Sequence, residues 1–411
     1  MNIRSITLGI SDDLLTRVGI KETSEDFFPK ANNLFESKKI KVVTNRLNFE
    51  VINKREYLNV DEIFEKVKII NWAAKKANVR WYCIPFTTFV DYDLREIPKV
   101  ILEIVKRYPS AFTNLMVASK GEINLKGAQI SARLIKDISK LSSNGYDNFR
   151  FGSSFNTKPC TPFFPYTHHE GRSGFSLALE IIDVFFNAIN NSEVKEISQL
   201  RHIIIENLVS EIVKISNYCR ELELETGMKF YGLDVSLAPF PAQNSSVANL
   251  IELFGVESFG SHGTLFYTSL LTDILKEAIM QSGVTHTGFN GVMFSLLEDT
   301  GMAKRNSSND ITLHSLLSYS SVCGCGIDMV PIPGDSFEED ISSLIIDVAS
   351  LSTRLDKPLG VRLLPVPSKK QNEFTEFNYD FLCNTRIMDI GVRGCNPDTF
   401  KGRFSFLSNL G

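Results

Sequence analysis

The first third of the chain alternates two hydrophobic rhythms, and that alternation restricts the fold more than any single motif does. Residues 3–10, 80–85 and 111–118 are apolar runs of strand length, and 41–53 carries β-branched residues with some alternation. Between them, 61–77, 93–108 and 127–141 place apolar residues at three-and-four spacing, as amphipathic helices do. Asp12 or Asp13 is placed to cap a further helix that takes in 27–36. Strand, helix and strand succeeding one another at this spacing favour parallel pairing through crossover helices, hence an α/β fold. Residues 150–155 add one more short strand. The 411 residues show no clear internal repeat, low-complexity tract or linker, so a single α/β domain over 1–411 is expected.

Charge and composition narrow the partners. A net charge of -4 lacks the basic footprint of a nucleic-acid-binding protein, so none is expected. No run approaches the roughly 18 apolar residues that a membrane helix needs, and MNIRSITLGISDDL lacks a signal-peptide core. Seven cysteines, odd in number and widely scattered, argue against a disulfide framework and for a reducing, cytoplasmic setting.

The segment 158–171, KPCTPFFPYTHHEG, breaks the rhythm. Pro159, Pro162 and Pro165 exclude regular helix and central strand. An ordered loop spanning 156–173 is expected, either a lid in which His168 and His169 close a mouth or a packed surface loop with solvated histidines. A long helical segment over 174–227 follows, with its strongest patterns at 175–189 and 194–226. The second pattern is long enough to span one side of the molecule or to form a homo-oligomer contact. His202 and Cys219 read as structural within it. Further strands are expected at 229–237, 292–297, 327–332, 360–365 and 374–384. Helices are expected from Ser245 or Ser246 to Leu253, and over 265–281, 313–320 and 338–355, with an irregular tail after Gly391.

Chemically capable residues concentrate between 231 and 333, beside glycine-rich turns. FGSHGT sets His262 between glycines directly before a helix. Gly260, Gly263 and Thr264 would form an anion seat at the helix start, with His262 as acid, base or ligand. A tight turn with an incidental histidine explains the same residues. Asp234 lies in an otherwise apolar strand and Asp328 at the start of another, while Glu298 ends a third. Acids at several strand ends can converge on one mouth; equally, Asp234 can serve a structural hydrogen bond. Asn290, in GFNG, joins the ligand-binding candidates. Arg362, inside GVRLLP, needs a carboxylate or a bound anion as partner. VCGCG offers Cys323 as a nucleophile, a metal ligand or one of two inert buried thiols. No spacing identifies a metal or cofactor.

Taken in order, NIRSITLGIS, YGLDVSLAPFPA, FGSHGT, LLEDTGM, VCGCGIDMVPIPGD and KPLGVRLLPVPSKK resemble the "PFL family protein" group, domain-of-unknown-function family seven-one-one. The resemblance covers most of the chain and is strongest over 231–370; PFFPYTHHEG is similar to the version of the family with a PFFP loop. It implies a ten-stranded α/β barrel like that of pyruvate formate-lyase and ribonucleotide reductase. In that barrel two parallel five-stranded half-sheets run antiparallel to each other, with helices outside. It also implies Cys323 as the positional analogue of the central loop cysteine, and it hints at amino-acid-linked metabolism. The tail GVRGCNPDTF departs from the RVxGY-like segment of glycyl-radical enzymes in order and in its missing tyrosine, so glycyl-radical chemistry is not expected. The functional expectation is an enzyme acting on a small anionic metabolite. The alternative is a ligand-binding or regulatory protein on an enzyme-derived scaffold.

Overall fold

The computed structural model describes residues 1–53, 58–391, 394 and 402–406. Its first half builds the expected alternation: β1 (Asn2–Ile10), α1 (Arg17–Ser37), β2 (Val42–Phe49), α2 (Val60–Lys76), β3 (Trp81–Thr87), α3 (Ile97–Arg107), β4 (Ala111–Ser119), the short β5 (Glu122–Asn124), α4 (Leu125–Ser139) and β6 (Phe151–Phe155). Side-chain caps set several helix starts. Thr16, Asn59 and Asn124 accept from the backbone N–H three residues on. Asp12 and Asp13 do not cap α1; they lie in a short 3-10 turn ahead of it.

The second half contains β7 (Gly174–Glu180), α5 (Ile182–Asn190), α6 (Ile197–Thr226), β8 (Lys229–Asp234), α7 (Val247–Leu253), α8 (Thr264–Ser282), α9 (Thr300–Ser307), α10 (Leu313–Tyr319), β9 (Gly326–Pro333), α11 (Glu338–Arg354), β10 (Leu359–Val366) and β11 (Arg403–Ser405). The expected helix over 175–189 is corrected: its first part is β7, and helix begins only at Ile182. FSLAL is apolar all round, and a strand buried on both faces presents the same pattern as a buried helix. The strand expected at 292–297 is reduced to single bridges, Leu237 to Val292 and Ser295 to Asp328, followed by a 3-10 turn. That expected at 374–384 is reduced to one bridge, Phe374 to Arg386. Much of the tail expected to be irregular (392, 393, 395–401 and 407–411) lies outside the described residues, while Arg403–Ser405 pairs with β5.

Hydrogen bonding orders the sheet β8-β7-β1-β2-β3-β4-β6-β10-β9. Strands β1, β2, β3, β4 and β6 run mutually parallel. Both junctions out of this set are antiparallel, β1 with β7 and β6 with β10, and beyond them β8 and β9 return to parallel pairing. Residues 286–295 bridge in parallel to β8 on one side and to β9 on the other.

Side chains on successive strand residues point to opposite faces. Val361 and Leu363 of β10 join the large core cluster with Ile135 of α4 and Ile345 of α11, while Leu364 packs in a second cluster with Phe112 and Phe149. On this second face Ser5 and Thr7 of β1, Asn48 of β2 and Asn114 of β4 hydrogen-bond residues of the 156–173 loop. The proline-rich loop is therefore packed against the sheet, and its histidines are corrected: His168 and His169 are buried, neither solvated nor at a mouth. Helix α6 buries Ile204, Leu208, Ile212, Ile215 and Leu222 in its own chain, and Arg201 joins it to Asp273 of α8 at 2.7 Å. Its apolar stripe is thus already covered within the chain. Among the described residues, no helix is long and apolar enough to cross a membrane.

Candidate functional site

Two glycines make room for the residue at the centre of the site. The Tyr166 ring lies against Gly152 of β6 and Gly360 of β10; a Cβ would meet it at 2.7 Å and 2.3 Å. Any larger residue at either strand position would push the ring away. Asn114 of β4 holds the loop beside Tyr166, its amide donating to Pro165 O at 2.6 Å and Thr167 O at 2.8 Å.

So placed, the Tyr166 hydroxyl donates to Asp328 Oδ1 at 2.7 Å. Arg362, on the neighbouring strand, grips the same carboxylate with Nε and Nη2, each at 2.8 Å. This bidentate fork is the strong form of an ion pair. Nη1 of Arg362 donates to Phe149 O at 3.1 Å, and Nη2 reaches Glu298 Oε2 at 3.4 Å. Ser295 Oγ donates to that same Glu298 oxygen at 2.5 Å. Burial, then the Asp328 charge, push the Tyr166 hydroxyl well above its usual range, so it stays protonated.

Two further guanidiniums complete the ring of charge. Arg4 of β1 lies 3.7 Å from Glu298 and donates to Pro239 O at 2.9 Å. Among the described residues, Arg46 of β2 donates only to neutral oxygens, Thr44 Oγ1 at 3.1 Å and Pro162 O at 3.3 Å, and it lies over the Phe164 ring. Desolvation first, then the neighbouring Arg4, lower its pKa to about 9.

Arg4, Arg46, Tyr166, Ser295, Glu298, Asp328 and Arg362 line one cavity of about 70 Å³. That is room for several waters or one compact ligand. Aromatic and apolar walls come from Trp81, Phe112, Phe149, Phe163, Phe164 and Met293. Arg4, Arg46 and Trp81 keep partial exposure while Tyr166, Asp328 and Arg362 are buried, so the cavity is deepest at the tyrosine end.

The other sequence candidates lie elsewhere. His262 is exposed and outside the cavity. Its motif is a tight turn: Gly260 N–H donates to Thr264 Oγ1 at 3.0 Å, and a Cβ on Gly260 would meet Asp310 O at 2.3 Å. Gly263, at φ 102°, precedes the first turn of α8. Asp234 is fully buried and accepts from Ser236 N, Ser236 Oγ, Phe289 N and Asn290 N, pinning the 286–295 segment to β8. Asn290 completes that latch, its Oδ1 accepting from Val235 N at 3.0 Å. Burial lifts the Asp234 pKa to about 6 against these hydrogen bonds. Asp299, beside Glu298, caps two helices at once: it accepts from Val247 N at the start of α7 and from Gly301 N and Met302 N in α9.

His169 packs against Gly9 and Tyr231, with Nδ1 3.4 Å from Cys160 Sγ; burial lowers its pKa to about 4. His168 is also buried, and neither histidine lines the cavity. Cys323 packs in the large core cluster, whereas Cys325 packs against Phe163, Tyr166 and Met293, directly behind the cavity wall. Hydrogen bonding to Cys323 and burial push the Cys325 thiol far up; burial also opposes ionisation of Cys323, but the Cys325 thiol and Lys357 outweigh it there. Among the described residues, no group of three or more His, Cys, Asp or Glu is arranged to hold a metal.

Residues 1–380 match the family described as "Uncharacterised ACR (DUF711)". The chain belongs to the DUF711 family. Relatives called UPF0210 proteins include one from Methanocaldococcus jannaschii, 26% identical over 95% of this chain and 91% of its own length. One from Thermoanaerobacter is 26% identical over 98% and 93%. Another, from Pyrobaculum arsenaticum, is 30% identical over 61% of this chain but only 56% of its own length. Among solved structures, an anaerobic ribonucleotide reductase from Thermotoga maritima is similar at a TM-score of 0.44 and 9% identity, over 88% of this chain and 74% of that one.

Sequence reading does not single out Arg4, Arg46 or Tyr166 of this DUF711 chain as site residues, although Arg4 and Tyr166 lie inside NIRSITLGIS and PFFPYTHHEG. A signal for two of them exists. Strands buried on both faces read as nearly continuous apolar runs, so Arg4 in IRSITLGI and Arg46 in VVTNRLNF are out of place in central parallel strands. Tyr166 carries no such signal, because its role depends on which glycines it meets.

Proposed function

We propose that this cavity binds a small metabolite anion, that Glu298 exchanges a proton with it, and that the Tyr166 hydroxyl, which stays protonated, positions it. The observation that carries the reading is the meeting, in one cavity, of Arg4, Arg46, Tyr166, Glu298, Asp328 and Arg362, drawn from six distant stretches of chain. Arg46 is the anion seat, since it faces the cavity with no carboxylate partner among the described residues. Asp328 and Arg362 form a fixed pair that orients the Tyr166 hydroxyl. Glu298, only partly buried and held by Ser295, is the exchangeable carboxylate. The free thiols of the described cysteines support a reducing, cytoplasmic setting. Segment 286–295, bridged to both β8 and β9, supports reading the chain as one domain whose sheet closes into a ten-stranded barrel around this cavity.

A second reading, a ligand-binding or regulatory protein, is favoured by one observation: among the described residues, the cavity lining contains no cysteine or histidine. One experiment separates the two. Purified protein is incubated with a pool of small metabolite anions, and consumption is followed by mass spectrometry. As an enzyme it depletes one anion, Arg46→Met raises KM, and Glu298→Gln or Tyr166→Phe lowers kcat by about 10²–10⁴. An anion held through Arg46 yet returned unchanged would make this a binding protein. Capture unaffected by Arg46→Met would remove the site altogether.

A further inference from the structure

The charges of the cavity do not balance, and the imbalance constrains what enters. Three guanidiniums, Arg4, Arg46 and Arg362, face two carboxylates, Glu298 and Asp328. Arg362 is matched by Asp328 at 2.8 Å, and Glu298 sits between Arg362 and Arg4 at 3.4 Å and 3.7 Å. One positive charge is left over, and it lies at Arg46. An uncompensated charge against apolar walls is costly even where, as at Arg46, part of the side chain meets solvent. A ligand carrying one negative charge cancels it. A dianion would set its second charge beside Glu298 and Asp328, and a neutral molecule would leave Arg46 uncompensated.

The walls supply the second constraint. Trp81, Phe112, Phe163 and Met293, together with Phe164 beneath Arg46, offer apolar surface with little hydrogen-bonding capacity. The roughly 70 Å³ of room suits a compact ligand, or the compact end of one.

We infer that the ligand is a compact monocarboxylate with an apolar body, its carboxylate on Arg46 and its body against the aromatic wall. This rests on the reading of the cavity as the ligand site. Desolvation and the neighbouring Arg4 lower the Arg46 pKa to about 9, and a carboxylate placed on it would raise it again.

The test uses the full chain carrying Trp72→Phe, which leaves Trp81 in the cavity wall as the sole tryptophan. Isobutyrate, benzoate, succinate, inorganic phosphate and isobutanol are titrated while Trp81 fluorescence and the melting temperature are followed. Isobutyrate or benzoate should change Trp81 emission saturably and raise Tm, and should bind about tenfold or more tighter than the other three probes. Arg46→Met should abolish this effect and Arg46→Lys should keep part of it, the lysine retaining charge without the fork. Glu298→Gln raises the surplus to two charges and should shift preference toward succinate. Succinate or phosphate binding best, still through Arg46, would overturn the monocarboxylate class and leave the site standing. Binding of every probe at equal strength with Arg46→Met in place would overturn both.

Discussion

Asp234, Asp299 and Asp328 are all buried carboxylates, and their partners decide what each can do. Asp299 meets five donors across two helix starts and is a cap. Asp234 is surrounded by its own strand and the adjoining segment, so it is a latch. Only Asp328 faces a cavity and pairs with a tyrosine hydroxyl and a guanidinium. Asp234 gives a pH prediction with a definite sign. Its native pKa of about 6 lies above the ordinary 3.8, so the folded state holds a proton that the unfolded chain releases first. The associated stability is present below about pH 4 and is lost as pH rises through about 6, at most about 3 kcal/mol. Urea unfolding of wild type and Asp234→Asn from pH 4 to 7 should show the difference between them moving in favour of the variant as pH rises. Tyr166→Phe leaves one Asp328 oxygen short of a donor and should cost about 1–3 kcal/mol, measured the same way, while Arg362 keeps the carboxylate paired.

At the scale of elements, helix boundaries were legible wherever caps and amphipathic spacing agreed. Ser246 starts α7, and α2, α4, α8 and α11 lie close to where their apolar spacing put them. β7 was not legible, because FSLAL satisfies a helical and a fully buried strand pattern alike, and pairing with β1 and β8 decides between them. α9 escaped because TGMAKRNS is short and polar; Asp299 holds it. Asp299→Ala should therefore uncap α7 and α9 together and cost about 2–4 kcal/mol, with hydrogen exchange accelerating in both helices first. Gly360→Ala should act on the site more than on β10: the new methyl displaces the Tyr166 ring and should weaken ligand binding even where the variant melts near wild type.

Across the whole molecule, the 286–295 segment meets the turn before β9 at Gly291 against Gly324, where a Cβ would come within 2.8 Å of the opposing Cα. Gly291→Val should prise these segments apart, lowering stability by about 1–3 kcal/mol and abolishing cavity binding, as read by thermal unfolding and Trp81 fluorescence. Sequence alone determined the α/β rhythm, the family and three of the cavity's charged residues, Glu298, Asp328 and Arg362. Those follow from periodicity and from the penalty on unpaired charge in apolar strands, which are local properties of the chain. It could not separate Asp328 from Asp234, or set Arg46 above His262. That choice depends on which strand face looks inward and on two glycines that admit a tyrosine, and those relations exist only once distant segments have packed.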